Sequence, residues 1–336
     1  MLDIQTLKKF DSQGMYTIYD KWPEIAEESY NTPLEQVKFQ NIDHIVFAGM
    51  GGSGAIGSIF SSILSKTNIH VSIVKGYVLP KTVDSETLVV TTSVSGNTDE
   101  TLTILNSASK QDCKIVALSS GGKMEEFCIK NKIEYRKIST IHSPRASFTS
   151  FLYSMLKILN PVIPIATNEI SESITEMKNL SKNINSENLT DNNLALQLAN
   201  WIDGIPLIYY PSGLQAAAIR FKNSLQENAK LHAITEDVVE SSHNGVVSWE
   251  QQNNVIPIMI EGADDYIKTK ERWRVLKKFF NQKNIEYKEV FSGKGSILTK
   301  LMKLMYLLDY ASIYKAVTTK IDPTPVKAIE FIKKNL

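Results

Sequence analysis

Residues 91–100 are Thr91-Thr92-Ser93-Val94-Ser95-Gly96-Asn97-Thr98-Asp99-Glu100. The apolar run 87–90 precedes this stretch and apolar residues at helical spacing follow it, which predicts a strand, a tight turn and a helix. The turn carries three hydroxyls, from Ser93, Ser95 and Thr98, beside the partly positive N–H groups of a helix start. We expect this segment, the serine turn (Ser93–Thr98), to bind a small phosphate ester, because it holds no lysine for a triphosphate. An ordinary capped βα turn is the alternative.

A glycine-rich segment follows an earlier predicted strand, and its sequence is Gly49-Met50-Gly51-Gly52-Ser53-Gly54. This glycine loop fits the dinucleotide-binding fingerprint, which also requires an acidic residue after the second strand. That strand, 71–74, is followed by Lys75-Gly76-Tyr77, so NAD binding is disfavoured. Because parallel strands present their carboxyl ends at one edge, the N–H groups near Gly52 and Ser53 should face the same crevice as the serine turn. Alternatively, the glycines only permit a tight turn and close packing.

Strands and helices alternate through both halves of the chain. The predicted strands are 44–49, 71–74, 87–92, 114–118, 133–135, 205–210, 255–260 and 287–290. Such alternation is typical of βαβ units and predicts an α/β protein with parallel sheets. Both halves begin with a strand, a glycine and a helix, which indicates a weak internal repeat.

Changes in composition predict four segments. They are a helical arm (1–40), a first α/β unit (41–165), a polar connecting helix (166–195) and a second α/β unit with C-terminal helices (196–336). The boundary is placed where asparagine, serine and glutamate become frequent, after two prolines. A strong helix is expected to start at Pro144-Arg145.

Bulk composition excludes several classes of partner. The net charge of +1 over 336 residues gives no sign of nucleic-acid or membrane-surface binding. The two cysteines form no C-x-x-C pair, so neither a disulfide framework nor a zinc site is expected. The first residues do not resemble a signal peptide, and no apolar run has the length of a membrane span. We therefore expect a cytoplasmic protein.

The glycine loop and the serine turn together resemble the sugar isomerase (SIS) domain. Three further segments resemble the bifunctional phosphoglucose/phosphomannose isomerases of archaea and some bacteria, namely Ser143-Pro144-Arg145-Ala146, Gln226-Glu227-Asn228-Ala229-Lys230 and Asp322-Pro323-Thr324-Pro325. The resemblance extends from about residue 40 to the end. It implies two SIS-type, flavodoxin-like αβα sandwich subdomains, and a homodimer with a shared active site. It also implies interconversion of glucose 6-phosphate or mannose 6-phosphate with fructose 6-phosphate, without a metal or other cofactor.

The resemblance also implies how the substrate is bound. Ser93, Ser95 and Thr98 would bind its phosphate, and Gly52 and Ser53 would lie beside the sugar.

Catalytic roles are implied in the same way. Arg145 would stabilise the enediolate, Glu227 would be the base, and His243, lent by the other subunit, would help to open the ring. A C-terminal lysine with a nearby threonine would act at the ring-opening end. Thr324 fits the threonine, and we choose Lys333 over Lys327 and Lys334 because 329–333 best matches the closing helix of the family.

The residues themselves suit this chemistry. Isomerisation moves a proton between C1 and C2 through a cis-enediol and needs a group that carries that proton. Glu227 ends an apolar helix, where partial burial would raise its pKa, although a surface glutamate is the alternative. His243 lies in a polar stretch between serine and asparagine, which argues against a core histidine. A fixed guanidinium such as Arg145 can stabilise the enediolate.

Three other functions remain open at this point. One is an SIS isomerase of another sugar phosphate, although such proteins commonly have one SIS domain. Another is a non-catalytic sugar-phosphate sensor, although no helix-turn-helix or basic segment precedes residue 40. A nicotinamide oxidoreductase is the most distant alternative.

Overall fold

The computed structural model describes residues 2–336, and Met1, the first residue of the predicted arm, lies outside the described residues. The chain forms two compact units. The first unit is Lys21–Ile174, and the second unit combines the chain through Asp20 with Thr175–Leu336. The predicted division into four segments stays a prediction.

Three short helices form within the predicted arm, α1 (Ile4–Phe10), α2 (Met15–Asp20) and α3 (Trp22–Asn31). The first two belong to the second unit, where they pack on the long helix Ile297–Thr318. Helix α3 belongs to the first unit and packs on the helix Phe148–Ile158. The Trp22 and Phe148 rings are stacked there, with their centroids 6.0 Å apart.

The first unit is built on a five-stranded parallel sheet. Its strands are β1 (His44–Ala48), β2 (His70–Val74), β3 (Thr87–Ser93), β4 (Lys114–Ser119) and β5 (Glu134–Lys137), in the order β2-β1-β3-β4-β5. Strands β1 and β3 are buried along their whole length, as the apolar runs require. The order is that of the flavodoxin-like fold.

Helices connect these strands and cover the sheet. They are α4 (Gly51–Leu64), α5 (Asp99–Ala108), α6 (Gly122–Asn131) and α7 (Phe148–Ile158). The next helix, α8 (Thr167–Ile184), runs across the division between the two units.

The second unit contains a four-stranded parallel sheet. Its strands are β6 (Ile205–Tyr210), β7 (Ile234–Asp237), β8 (Val255–Glu261) and β9 (Lys288–Phe291), in the order β7-β6-β8-β9. This order repeats the first four positions of the other sheet. The α/β prediction is therefore confirmed, and each predicted strand forms with its ends shifted by at most two residues.

The helices of the second unit complete its fold. They are α9 (Leu194–Trp201), α10 (Gln215–Asn228), α11 (Val238–Ser241), α12 (Ile267–Gln282), α13 (Ile297–Thr318) and α14 (Lys327–Asn335), with a 3₁₀ helix at Gly245–Glu250. Alanines 216–218 of α10 are buried, and this helix packs closely on α13. None of the helices in residues 2–336 is both long and apolar enough to cross a bilayer.

Candidate active site

The glycine loop and the serine turn meet at the carboxyl edge of the first sheet. A Cβ atom on Gly49 would lie 2.9 Å from the Thr92 carbonyl oxygen and 2.9 Å from the Ser53 Cβ, so only glycine lets the end of β1 lie this close to β3 and α4. Strands β1 and β3 are neighbours whose connections run to opposite sides of the sheet. Such a switch point opens a crevice at the carboxyl ends of the strands, where doubly wound proteins bind ligands.

The hydroxyls of the serine turn have different surroundings. Ser93 is buried, its Oγ accepts a hydrogen bond from the Gly96 N–H at 3.1 Å, and it lies 2.8 Å from the Thr98 Oγ1. Ser95 is exposed, and its Oγ accepts from the Asn97 N–H at 3.3 Å. Ser93 therefore orders the turn from inside, while Ser95 and the half-buried Thr98 are more accessible to a ligand.

The N-termini of α4 and α5 lie at this edge. Within the described residues, neither N-cap residue, Met50 for α4 or Thr98 for α5, makes a side-chain capping hydrogen bond. Helix N–H groups without such caps favour an anion. Asp99 and Glu100 occupy the first turn of α5, where carboxylates stabilise a helix. The serine turn itself therefore offers an anion N–H groups and hydroxyls but no cationic side chain.

Arg145 lies beside the glycine loop. A Cβ atom on Gly52 would be 3.7 Å from the Pro144 carbonyl oxygen and 3.9 Å from the Arg145 Cα. Only 8% of the Arg145 surface is exposed. The structure thus brings together the predicted residues of the first unit, from the glycine loop, the serine turn and the Arg145 segment.

The prediction that a helix starts at Pro144-Arg145 is wrong, because α7 begins at Phe148 and Arg145 lies in the preceding turn. The reason is the Ser147 side chain. Its Oγ accepts from the Ile141 N–H at 2.8 Å and lies 2.9 Å from the Ser143 carbonyl oxygen, to which it donates. A serine that bonds to nearby backbone groups in this way favours a turn over an additional helical turn.

Glu227 lies half-buried in the last turn of α10, in the second unit. The Lys230 ammonium donates hydrogen bonds to the Glu227 carbonyl oxygen at 2.6 Å and to the Pro323 carbonyl oxygen at 3.3 Å. The next residue, Thr324, donates its N–H to Asp322 at 2.9 Å. The end of α10 is therefore tied to the loop that contains Thr324, so two predicted site residues occupy one region of this unit.

His243 is exposed in the turn after α11. Its N–H donates to the Glu240 carbonyl oxygen at 2.9 Å, and Asp237 caps the start of α11. The side chain is outside the core, as expected for a histidine in a polar loop, and its catalytic role stays a prediction.

Lys333 lies in the last turn of α14. Within the part of the chain that the structure describes, no residue of this helix is buried. The neighbouring candidates Lys327 and Lys334 are exposed as well, so the choice of Lys333 stays a prediction.

The second sheet has no counterpart of the serine turn within residues 2–336. The loop after β8 is Gly262-Ala263-Asp264-Asp265, so it offers carboxylates where the first sheet offers hydroxyls. Asp265 closes this loop by accepting from the Gly262 N–H at 3.1 Å and from the Trp273 Nε1–H at 2.9 Å. Burial raises the pKa of Asp265. Within the described residues, the loop after β8 therefore differs in its chemistry from the serine turn that follows β3. The described residues hold no cluster of His, Cys, Asp or Glu arranged for a metal ion.

Sequence reasoning missed a buried polar network on α10. Arg220 forms an ion pair there with Asp309, which is fully buried. One signal was present, because Asp309 is the single acidic residue in the long apolar stretch of α13.

Known protein families match both units of this chain. The SIS domain family matches residues 38–155, and the bacterial phospho-glucose isomerase C-terminal SIS domain matches residues 191–336. A bifunctional phosphoglucose/phosphomannose isomerase of Caldicellulosiruptor bescii is 33% identical, over 96% of this chain and 98% of its own. One of Aquifex aeolicus is 30% identical, over 96% of each chain.

A solved structure is similar over nearly the whole chain. The crystal structure of a hypothetical protein from Thermus thermophilus has a TM-score of 0.73 at 14% identity, covering 98% of this chain and 91% of that chain. This likeness supports the fold. The two matched domains and the near full-length relatives show that this chain belongs to the family of bifunctional phosphoglucose/phosphomannose isomerases.

Proposed function

We propose that this protein interconverts glucose 6-phosphate and mannose 6-phosphate with fructose 6-phosphate. The observation that supports it most directly is the serine turn, which lies at the switch point of the first sheet beside the glycine loop and Arg145. The near full-length similarity to relatives of that name supports the choice of substrates.

In this proposal the serine turn binds the substrate phosphate. The hydroxyls of Ser95 and Thr98 and the first N–H groups of α5 are the donors, while the buried Ser93 holds the turn in shape. The N–H groups of Gly52 and Ser53 bind sugar oxygens from the adjacent loop.

Glu227 acts as the base. Its carboxylate removes the proton from C2 of the open-chain aldose, and the electrons of that C–H bond form the C1=C2 bond of the enediolate as the carbonyl oxygen on C1 gains charge. The same carboxyl then returns the proton to C1, as the proton of the C2 hydroxyl passes to the charged C1 oxygen, so that C2 becomes the ketone and C1 carries a hydroxyl. Arg145 stabilises the negative charge of the intermediate, because a fixed cation in a buried position needs no reorganisation.

His243 and Lys333 open the sugar ring. Ring opening removes a proton from the hydroxyl on the anomeric carbon and supplies one to the ring oxygen, which requires an acid and a base. Thr324 borders this end of the substrate. Both titratable side chains are at the surface of the second unit, where they are accessible to a ligand or to another subunit.

We also propose a homodimer with a shared active site, in the cytoplasm, with His243 acting on the partner's substrate. Exposed apolar side chains on α14 support an association of chains. Phe331 is 69% exposed and Ile332 is 58% exposed. Large apolar side chains exposed side by side on one helix are typical of a surface that another chain covers.

The test is isomerase activity on fructose 6-phosphate in excess chelator, with both aldose products quantified. We compare wild type, Glu227→Gln, and Glu250→Gln as the matched control, since Glu250 is exposed in the same unit. Formation of both aldoses by wild type and the control, with an inactive Glu227→Gln, supports the proposal. A single aldose refutes the bifunctional specificity. Binding of a sugar phosphate without turnover refutes catalysis and favours the sensor.

A further inference from the structure

A stripe of polar side chains is buried on one face of α10. Arg220, Ser224 and Asn228 are spaced four residues apart, so they lie along one side of the helix. All three are buried, with exposed fractions of 3%, 6% and 0%. We call these three residues the α10 polar stripe.

Asp309 of α13 accepts most of the hydrogen bonds from this stripe. Arg220 donates to the Asp309 Oδ2 from Nε at 3.0 Å and from Nη2 at 2.5 Å. Ser224 donates its hydroxyl to the Oδ1 at 2.7 Å, and the Tyr19 hydroxyl donates to the Oδ2 at 3.3 Å. Both oxygens of this buried carboxylate are therefore bonded, and its charge is balanced by the guanidinium.

The network continues to the residue next to the proposed base. The Ser312 hydroxyl donates to the Asp309 carbonyl oxygen at 2.6 Å and accepts from the Asn228 Nδ2 at 2.8 Å. Asn228 directly follows Glu227 in the chain. Hydrogen bonds thus connect Arg220, seven residues before the base, to the residue that follows it.

Because Arg220 and Glu227 lie on the same helix, any rotation of α10 that this network prevents would also move the Glu227 side chain. Seven residues at 3.6 per turn bring Glu227 to within about 20° of Arg220 around the helix axis. A helix with its side chains has a radius of roughly 5–6 Å, so rotation of α10 by about 10° would displace a side-chain terminus by about 1 Å. A misplacement of that size can cost about 100-fold in catalysis.

Stability alone does not account for the ion pair. Replacing a buried ion pair with well-packed apolar residues often leaves stability unchanged or increases it, whereas removing one partner is strongly destabilising. The other buried residues on α10 are mainly alanines with Phe221 and Leu225, which set no unique rotation through hydrogen bonds. The polar stripe supplies such a constraint, because its hydrogen bonds to Asp309 and Ser312 weaken steeply when rotation of the helix changes their distances and angles.

We propose that Arg220 and Asp309 are positioning residues, which fix the rotation of α10 against α13 and thereby the position of the Glu227 carboxylate. This rests on the proposed function of Glu227. Lys230 secures the other end of the helix through the Glu227 carbonyl.

The test is the double variant Arg220→Met/Asp309→Leu, which removes both charges and leaves neither buried alone. We expect a folded protein by circular dichroism, a kcat on fructose 6-phosphate reduced about 10- to 100-fold, and a KM within about threefold of wild type. The control is Tyr209→Phe, which removes the hydrogen bond from Trp249 in the core of the same unit but not on α10. It should lower stability without lowering kcat.

A second variant tests the positioning role even if the double variant does not fold. Arg220→Lys keeps the charge but loses the two-pronged contact, and we expect a smaller loss of kcat, about three- to tenfold, at unchanged KM. A folded double variant, or a folded Arg220→Lys, with wild-type kcat would overturn the positioning role. Inactive wild type, or full activity of Glu227→Gln, would instead refute the proposed function and this inference with it.

Discussion

A methyl group at position 96 has no room in the serine turn. Gly96 has a φ of +69°, and a Cβ there would lie 1.7 Å from the Gly121 carbonyl oxygen. The left-handed conformation costs a residue other than glycine about 1–2 kcal/mol. In addition, the clashing atoms must separate from 1.7 Å to at least 3.0 Å, which disrupts the hydrogen bond from the Ser119 hydroxyl to the Gly121 carbonyl. That bond contributes about 1 kcal/mol.

We therefore expect Gly96→Ala to destabilise the protein by about 2–3 kcal/mol and to displace the serine turn. The KM for fructose 6-phosphate should rise and kcat/KM should fall about 100-fold, because the phosphate donors move by more than 1 Å. Urea unfolding measures the first effect and steady-state kinetics the second.

Alanine substitutions at two other glycines of the first unit distinguish the effect of backbone strain from the effect of a steric clash. Gly51 has a φ of +52° with no atom within 4 Å of an added Cβ, so Gly51→Ala tests strain alone. Gly76 has an open position and no positive φ, so Gly76→Ala should change neither stability nor activity. If Gly96→Ala unfolds no more easily than Gly51→Ala and keeps the wild-type KM, the reasoning about the turn is refuted.

Three further outcomes are expected. Ser93→Ala loses the acceptor for the Gly96 N–H and should cost about 1 kcal/mol in urea unfolding and raise the KM; an unchanged KM would contradict its role in the turn. Burial, and then the nearby His70, lowers the pKa of His44, so its contribution to stability is present above about pH 6.5 and is lost as the pH falls. His44→Phe should accordingly flatten the fall in urea midpoint between pH 7.5 and 5.5, and an equally steep fall would count against this cause. Burial raises the pKa of the Cys128 thiol to about 11, so the native protein should label slowly with a thiol reagent at pH 8 and quickly once unfolded; rapid native labelling at this position would show that burial does not protect it.

Strands β1, β3, β4, β6 and β8 were predictable because mainly apolar runs of five to seven residues have few other uses in a polar sequence. Strands β5 and β9 have no such run and were predicted from the shorter patterns at 133–135 and 287–290. Strand β7 was not delimited in this way, because its four residues are mostly half-exposed and have no apolar run. The glycine loop and the serine turn were located because each follows such a strand, and the parallel arrangement then brings both to one edge.

Contacts between distant residues were beyond the sequence pattern. The turn at Arg145 depends on the Ser147 hydroxyl, whose partners a helix-like pattern does not reveal. Asp309 was visible as a single acid in an apolar helix, but its partner Arg220 lies 89 positions away. A sequence pattern shows the periodicity within one helix, but it does not show which residues of two different helices face each other.

The assignment of α1 and α2 to the second unit has a consequence for synthesis. The Tyr306 hydroxyl donates to the Tyr19 carbonyl oxygen, and the two residues are 287 positions apart. At a ribosomal rate of roughly 5–20 residues per second, the first helices wait on the order of 15–60 s for their packing partner α13. The first unit is continuous in sequence and is complete well before then. Folding on the ribosome should therefore begin within residues 21–174, and residues 2–20, although made before them, should be protected from a protease only after α13 has been made.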